Sequence, residues 1–258
     1  MKEIDKGSLY GLLLIAGILL TWQTVSEARL IPIAFLPPVS AVLIQLYESF
    51  VNSGSPYSIA GNMIPTLERV FGGFLLSVIV AVPLGLIIGS SRKIYNLLRP
   101  SIEVLRVLPP VALIPVFILL IGINEEMFVA FVAFGCTWPI MINTIDGVRN
   151  VDPLLFDVSK SFGKRYKDTF LRVTFPASSP FIVSGMRVSL LVALLLAVVI
   201  EMTSGHNGLG YSTVYAQMLS NVRAIYAEIF LIAALGFVLN FLFVRLENHF
   251  MKWHKISK

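Results

Sequence analysis

The chain has 258 residues, of which 56% are hydrophobic and 14% charged, with a formal net charge of +5 and a mean hydropathy of +0.82. A soluble domain of this length carries roughly a quarter charged residues, so the composition excludes an ordinary soluble protein and places the chain in the membrane class. The apolar runs are continuous and not alternating, which excludes a barrel and predicts an all-α, polytopic membrane fold.

Six spans are predicted within a single transmembrane domain covering 1–258: 8–25, 70–89, 107–124, 127–145, 181–200 and 226–244. Most approach the ~20 residues that cross ~30 Å of hydrocarbon. Lys2 and Lys6 precede the first, but no small-residue cleavage pattern follows "LLTWQTVSEARL", so it reads as a retained span and not a secretory leader. Between the first two spans, "FLPPVSAVLIQLYESFVNSG" places Val39, Val42, Leu43, Leu46 and Phe50 at helical spacing, with "NSGSP" as terminator. This predicts a short amphipathic helix on the membrane surface that packs on the bundle or receives an external partner.

The second span contains "GLIIG", Gly85 to Gly89, a spacing that permits close helix approach within the chain or between copies. The third, "RVLPPVALIPVFILLIG", holds Pro109, Pro110 and Pro115. It predicts a kinked helix, either simply packed or lining a cavity where irregular backbone is tolerated. Cys136, the one cysteine, lies in the fourth span and excludes an internal disulfide. Arg187 and Glu201 bracket the apolar part of the fifth span, fourteen residues or about 21 Å apart, too far to pair with each other. Arg187 reads as snorkelling to an interface, and Glu201 as a boundary residue or, with Met202, the mouth of a pathway.

Lys and Arg placement orients the chain. One side collects Lys2, Lys6, Arg92, Lys93, Arg99, Arg106, Arg149, Lys160, Lys164, Arg165, Lys167, Arg172, Arg245, Lys252, Lys255 and Lys258, sixteen of the twenty basic residues. Arg29, Arg223 and Arg69, the last placed at a helix entrance, fall on the other. Both termini are therefore expected in the cytoplasm of a prokaryote, with the chain in its plasma (inner) membrane. The basic balance needs no nucleic acid.

Catalytic constellations are missing. His206, His249 and His254 are scattered, and neither H-E-x-x-H nor G-x-S-x-G occurs. Gly163–Lys164 lacks the rest of a phosphate-binding loop. No catalytic, cofactor-binding or metal-binding residues are predicted, and the chain is not expected to be an enzyme by itself. Uphill transport would draw on a partner's ATP hydrolysis or on an ion gradient.

The loop 151–176 is the exception to this apolar chain. Asp152 and Pro153 start a helix on which Leu155, Val158 and Phe162 form a narrow apolar ridge, and Gly163 ends it. "KRYKDTFLRVTFP" then resumes with Tyr166, Phe170 and Val173, so two short helices joined at a Gly are predicted before the next membrane segment at Pro176.

This loop resembles the cytoplasmic signature of ATP-binding-cassette importer permeases, E-A-A-x-x-x-G-x9-I-x-L-P. Here it stands as Asp157-Val158-Ser159, three residues, Gly163, nine residues, then Val173-Thr174-Phe175-Pro176. "FLPPVSAVLIQL", "RPSIEVLRVLPPVALIPVFILLIGI", "WPIMINTIDGVRNVDP" and "VVIEMTSGHNGLGY" look like the nitrate/sulfonate/taurine/bicarbonate branch, in order, from about Leu36 to the last span. The resemblance implies the type I importer permease fold and a second permease subunit, usually a copy of the same chain. It also implies two cytoplasmic ATPase subunits that bind ATP and magnesium, and an extracytoplasmic solute-binding protein. It assigns ATPase coupling to Asp157, Val158, Ser159, Phe162, Gly163, Val173, Phe175 and Pro176. Pro109, Pro110, Pro115, Arg187, Glu201 and Met202 are the candidate pathway residues. A small anion is the expected solute, with an aromatic acid or thiamine-pyrimidine precursor as the alternative. A gradient-driven secondary transporter is the competing class.

Overall fold

The computed structural model describes residues 6–52, 55, 57–204 and 207–251. Lys2, His206, Lys252, His254, Lys255, Lys258 and part of the "NSGSP" terminator lie outside them. The described residues contain helices and no strand. They run α1 (Lys6–Glu27), α2 (Val39–Val51), α3 (Ile59–Ser90), α4 (Arg92–Val107), a 3-10 turn (Pro110–Leu113), α5 (Ile114–Ile121) and α6 (Glu125–Arg149). Then come α7 (Pro153–Ser161), α8 (Tyr166–Thr169), a π-helical turn (Phe170–Thr174), α9 (Phe175–Ser204), α10 (Leu209–Met218) and α11 (Val222–Phe250).

The core is a three-helix unit of α3, α6 and α9, centred on Phe128, Phe131, Ile140, Ala197 and Ile200, all without solvent exposure. Small residues let the axes approach. A Cβ on Gly85 would stand 2.6 Å from the Thr144 Cβ, and one on Gly89 would stand 2.8 Å from the Val148 Cβ. The "GLIIG" pattern is thus spent inside the chain, seating α3 on α6. The amphipathic α2 packs on α11 and buries Val42 and Ser49, whereas Leu43 and Phe50 of the predicted face are exposed. At the end of α1, Trp22 stacks on Phe230 with ring centroids 5.7 Å apart and donates from Nε1 to the Pro37 carbonyl at 3.0 Å.

Among the described residues four helices are long and apolar enough to cross a membrane, five if α4 and the Pro110–Ile121 segment count as one broken span. The sixth prediction falls on α1, whose Leu13–Glu27 stretch is apolar but shorter. Two predicted spans are redrawn. The span placed at 70–89 begins eleven residues earlier, because Ser58 caps α3 by accepting from the Gly61 N–H at 3.3 Å. This moves Arg69 from a helix entrance to the third turn of the helix.

The span placed at 107–124 is not one kinked helix. α4 and the Pro110–Ile121 segment meet at 87°. A residue before proline is pushed out of the helical region, and here that applies twice in succession. Leu108 sits at ψ 118° and Pro109 at ψ 119°, both extended. Pro110 then opens the 3-10 turn and Pro115 stands in the first turn of α5. Each proline lies where a helix begins and its missing N–H has no carbonyl to meet. The 3-10 turn and α5 together reach only about 20 Å.

Candidate functional site

The loop after α6 is built by its caps. Asp152 Oδ1 accepts from the Leu154 N–H at 2.9 Å and Pro153 fills the first helical position of α7. At the other end, the Gly163 N–H donates to the Lys160 carbonyl at 2.8 Å and the Lys164 N–H to Ser159 at 3.2 Å. These two bonds are the Schellman arrangement, which requires its penultimate residue in the left-handed region. Gly163 stands there, at φ 65°. A Cβ on it would meet nothing within 4 Å. Within this chain the glycine is therefore needed for its backbone angle and not for close packing.

Between these caps the predicted ridge is present and open: Leu155, Val158 and Phe162 are exposed, Phe162 to 76%. Asp157 is exposed and Ser159 is buried beneath the ridge. The Ser159 hydroxyl shares a 2.7 Å hydrogen bond with Thr169, tying α7 to the next helix.

That next helix differs from the sequence reading. α8 is not a separate short helix ahead of a membrane segment that starts at Pro176, but continues through Phe170–Thr174 into α9. The Phe175 N–H bonds back to the Phe170 carbonyl, a five-residue step. Pro176 has no N–H for the normal four-residue ladder, and a widened turn absorbs the missing bond. Val173 is half-buried, while Phe175 and Pro176 are exposed. The loop is thus mechanically continuous with a membrane helix of the core.

At the opposite end of the bundle a buried ionic cluster closes the fold. Arg69 and Glu201 both have side chains without solvent exposure, and Arg69 Nη1 donates to Glu201 Oε1 at 2.8 Å. Nε and Nη2 of Arg69 grip Glu125 at 2.8 and 2.5 Å. Its remaining hydrogens reach the Asn207 carbonyl and Oδ1 at 2.7 and 2.6 Å. Glu201 Oε2 accepts from the Thr66 hydroxyl and from the Gly210 N–H, each at 3.0 Å. The guanidinium also lies 4.5 Å from the Phe128 ring centroid. Removing two charges from water is costly unless every donor and acceptor is used, and here nearly all are.

The loop after α9 is shaped to this task. A Cβ on Gly208 would stand 2.3 Å from the Glu201 carboxyl carbon, and one on Gly210 would stand 2.2 Å from the Val198 carbonyl. "NGLGY", Asn207 to Tyr211, therefore folds back over Glu201 and starts α10 there. This helix was not foreseen in the sequence.

The predicted pathway residues lie on two elements, the broken span and α9. Pro109 and Pro115 are exposed on the broken span and Pro110 is half-buried. Arg187, also exposed, donates from Nε to Asn240 Oδ1 at 3.0 Å, linking α9 to α11. Met202 is 40% exposed, whereas Glu201 faces inward with its carboxylate committed. Sequence reasoning missed Arg69, Thr66 and Gly210 as its partners, and Glu125 and Asn207 as those of Arg69. The available signal was a cation and an anion within helical apolar segments, each demanding an opposite charge.

Comparison with known proteins identifies the family. Residues 81–252 match the model for the binding-protein-dependent transport system inner membrane component family. The chain is 35% identical to a putative ABC transporter permease protein of Methanocaldococcus jannaschii, over 86% of this chain and 84% of that one. It is 32% identical to the putative aliphatic sulfonates transport permease protein of Bacillus subtilis, over 96% and 88%. It is 29% identical to the nitrate import permease protein of Synechocystis, over 91% and 86%. In three dimensions it is similar to an inward-facing MetNI methionine ABC transporter, with a TM-score of 0.64 at 18% identity, covering 73% of this chain and 93% of that one. That last likeness speaks to the fold.

Proposed function

The chain belongs to the family of binding-protein-dependent transport system inner membrane components, and from that premise we propose that two copies of it form the pathway for a small oxoanion. It is a permease subunit of an ATP-binding-cassette importer, multi-pass in the membrane, and ATP hydrolysis belongs to partner subunits.

The proposed coupling element is α7. The observation that carries this reading is its apolar ridge, which is rigidly capped at both ends yet left open to receive a partner. Burying Leu155, Val158 and Phe162 in a groove of the ATPase would anchor it, with Asp157 at the rim. Because α8 continues into α9, movement of α7 would be passed through Ser159, Val173, Phe175 and Pro176 directly into the three-helix core. The broken span with Pro109, Pro110 and Pro115, and the end of α9 with Met202, would flank the pathway. Arg187 would keep α9 on α11, and Glu201 would hold the outer end shut to water through Arg69. With both termini and α7 in the cytoplasm, ATP and magnesium are bound by the ATPase pair and solute arrives from an extracytoplasmic binding protein.

The oxoanion reading is supported by likeness to sulfonate and nitrate permease proteins. The test is hydrolysis by this chain assembled with its ATPase in nanodiscs, challenged with loaded binding protein and a panel of sulfonates, nitrate and bicarbonate. Stimulation by one oxoanion-loaded binding protein is the expected result. Stimulation only by an aromatic acid or a thiamine precursor would overturn the substrate class, and indifference to every addition would overturn the coupling role.

A further inference from the structure

The structure holds a second concentration of charge, unrelated to the ion cluster at the far end. A cavity of about 510 Å³ lies where the ends of α3 and α6 meet the inner side of the α7–α8 loop. Four cations border it: Arg92 from the start of α4, Arg149 from the end of α6, and Lys160 and Lys164 from the loop. The Ser90 hydroxyl and the Phe170 ring complete the part that matters here. No carboxylate lines it among the described residues.

These cations are poorly compensated. Lys160 approaches Asp157 only at 3.7 Å, with both side chains mostly in solvent. Arg149 lies over the Tyr95 ring at 3.8 Å, which leaves its charge intact. Arg92 and Lys164 make no ion pair among the described residues. Membrane topology explains why basic residues gather at this end of the bundle. It does not explain why four from three separate elements converge on one concavity, where their mutual repulsion is unfavourable without a counter-charge.

We propose that this cavity binds a phosphoryl group. Two guanidinium forks and two ammonium groups match a multiply charged tetrahedral oxoanion, which offers several acceptor oxygens at once. The volume accepts a phosphodiester headgroup or a diphosphate, and a halide would leave most of it empty. The phosphoryl comes from an anionic phospholipid at the leaflet edge or from a soluble phosphate. Either occupant bridges Lys160 and Lys164 to the ends of α3 and α6, and so braces the loop against the core.

The test uses the chain assembled with its ATPase subunits. In one arm, native mass spectrometry counts phosphatidylglycerol retained from nanodiscs of mixed phosphatidylcholine and phosphatidylglycerol. In the other, calorimetry follows pyrophosphate binding in pure phosphatidylcholine at constant ionic strength. The variants are Arg92→Gln with Lys164→Gln, each single substitution in case the pair does not assemble, and Lys93→Gln with Arg172→Gln as a charge-matched control outside the cavity. The expected result is one saturable phosphoryl ligand per permease chain in at least one arm. Each cavity substitution should weaken it about tenfold or more, as expected for a charge-assisted bond, while the control binds as wild type. Retention in the first arm names a lipid, and in the second a soluble phosphate. No saturable binding in either arm, or equal binding by cavity and control variants, overturns the proposal. Binding is read directly, so the outcome does not depend on α7 being the coupling element.

Discussion

Arg69 and Glu201 have no exposed side-chain surface, so removing Arg69 leaves Glu201 charged and without water or a cation, whereas removing Glu201 leaves Arg69 its pair with Glu125. The first loss costs about 3–5 kcal/mol, whereas removing both costs less. Arg69→Met should therefore lower the melting temperature in detergent sharply and Glu201→Gln less so, and the double variant should melt above Arg69→Met. Additive losses in this double-mutant cycle would mean that the two charges are not coupled. Gly163 makes the opposite kind of prediction, because its requirement is conformational and local. At φ 65° a β-branched residue is strained by roughly 1–2 kcal/mol, while Asn tolerates that region. Gly163→Val should leave assembly in the membrane nearly intact but reduce stimulation of ATP hydrolysis by loaded binding protein, and Gly163→Asn should restore most of it. If Gly163→Val is stimulated like wild type, the cap geometry is irrelevant to coupling.

Among the elements, α7 can be altered without disturbing the bundle. Its ridge is exposed, and surface substitutions of this kind usually change stability by no more than about 0.5 kcal/mol. Phe162→Asp with Leu155→Ser should accordingly keep the melting temperature of the permease chain while sharply reducing co-purification of the ATPase. Loss of both together would instead mark the ridge as part of the fold. The broken span behaves differently, since its shape is written in consecutive prolines. Pro109 and Pro110 force two successive extended residues, and no neighbouring helix is needed to explain the 87° bend. The π-helical turn before Pro176 follows from the same missing donor, but whether a proline ends a helix or only widens it depends on what packs around it.

For the whole molecule, the arrangement predicts which ends face the same solution. Ser161, in the loop, and Glu126, at the start of α6, are both exposed and lie at opposite ends of the bundle. Cys136 is fully buried, so the native thiol should resist maleimide until the protein is denatured, and single cysteines can be introduced beside it. An impermeant maleimide added to intact cells should label Glu126→Cys and not Ser161→Cys, with the reverse preference in inverted vesicles. The opposite pattern would invert the proposed orientation.

The sequence by itself determined what depends on short-range pattern: an all-helical membrane chain, the basic side, the capped α7 ridge and the signature spacing around Gly163. Each of these is set by residues within a few turns of one another, through hydropathy, caps and proline geometry. Tertiary structure alone decided the pairing of Arg69 with Glu201, 132 positions apart, the fold-back of "NGLGY" into α10, and the convergence of four cations on one cavity. It also decided that "GLIIG" serves packing within the chain. These outcomes rest on which helix faces meet, and a buried charge declares that it needs a partner without declaring where along the chain that partner lies.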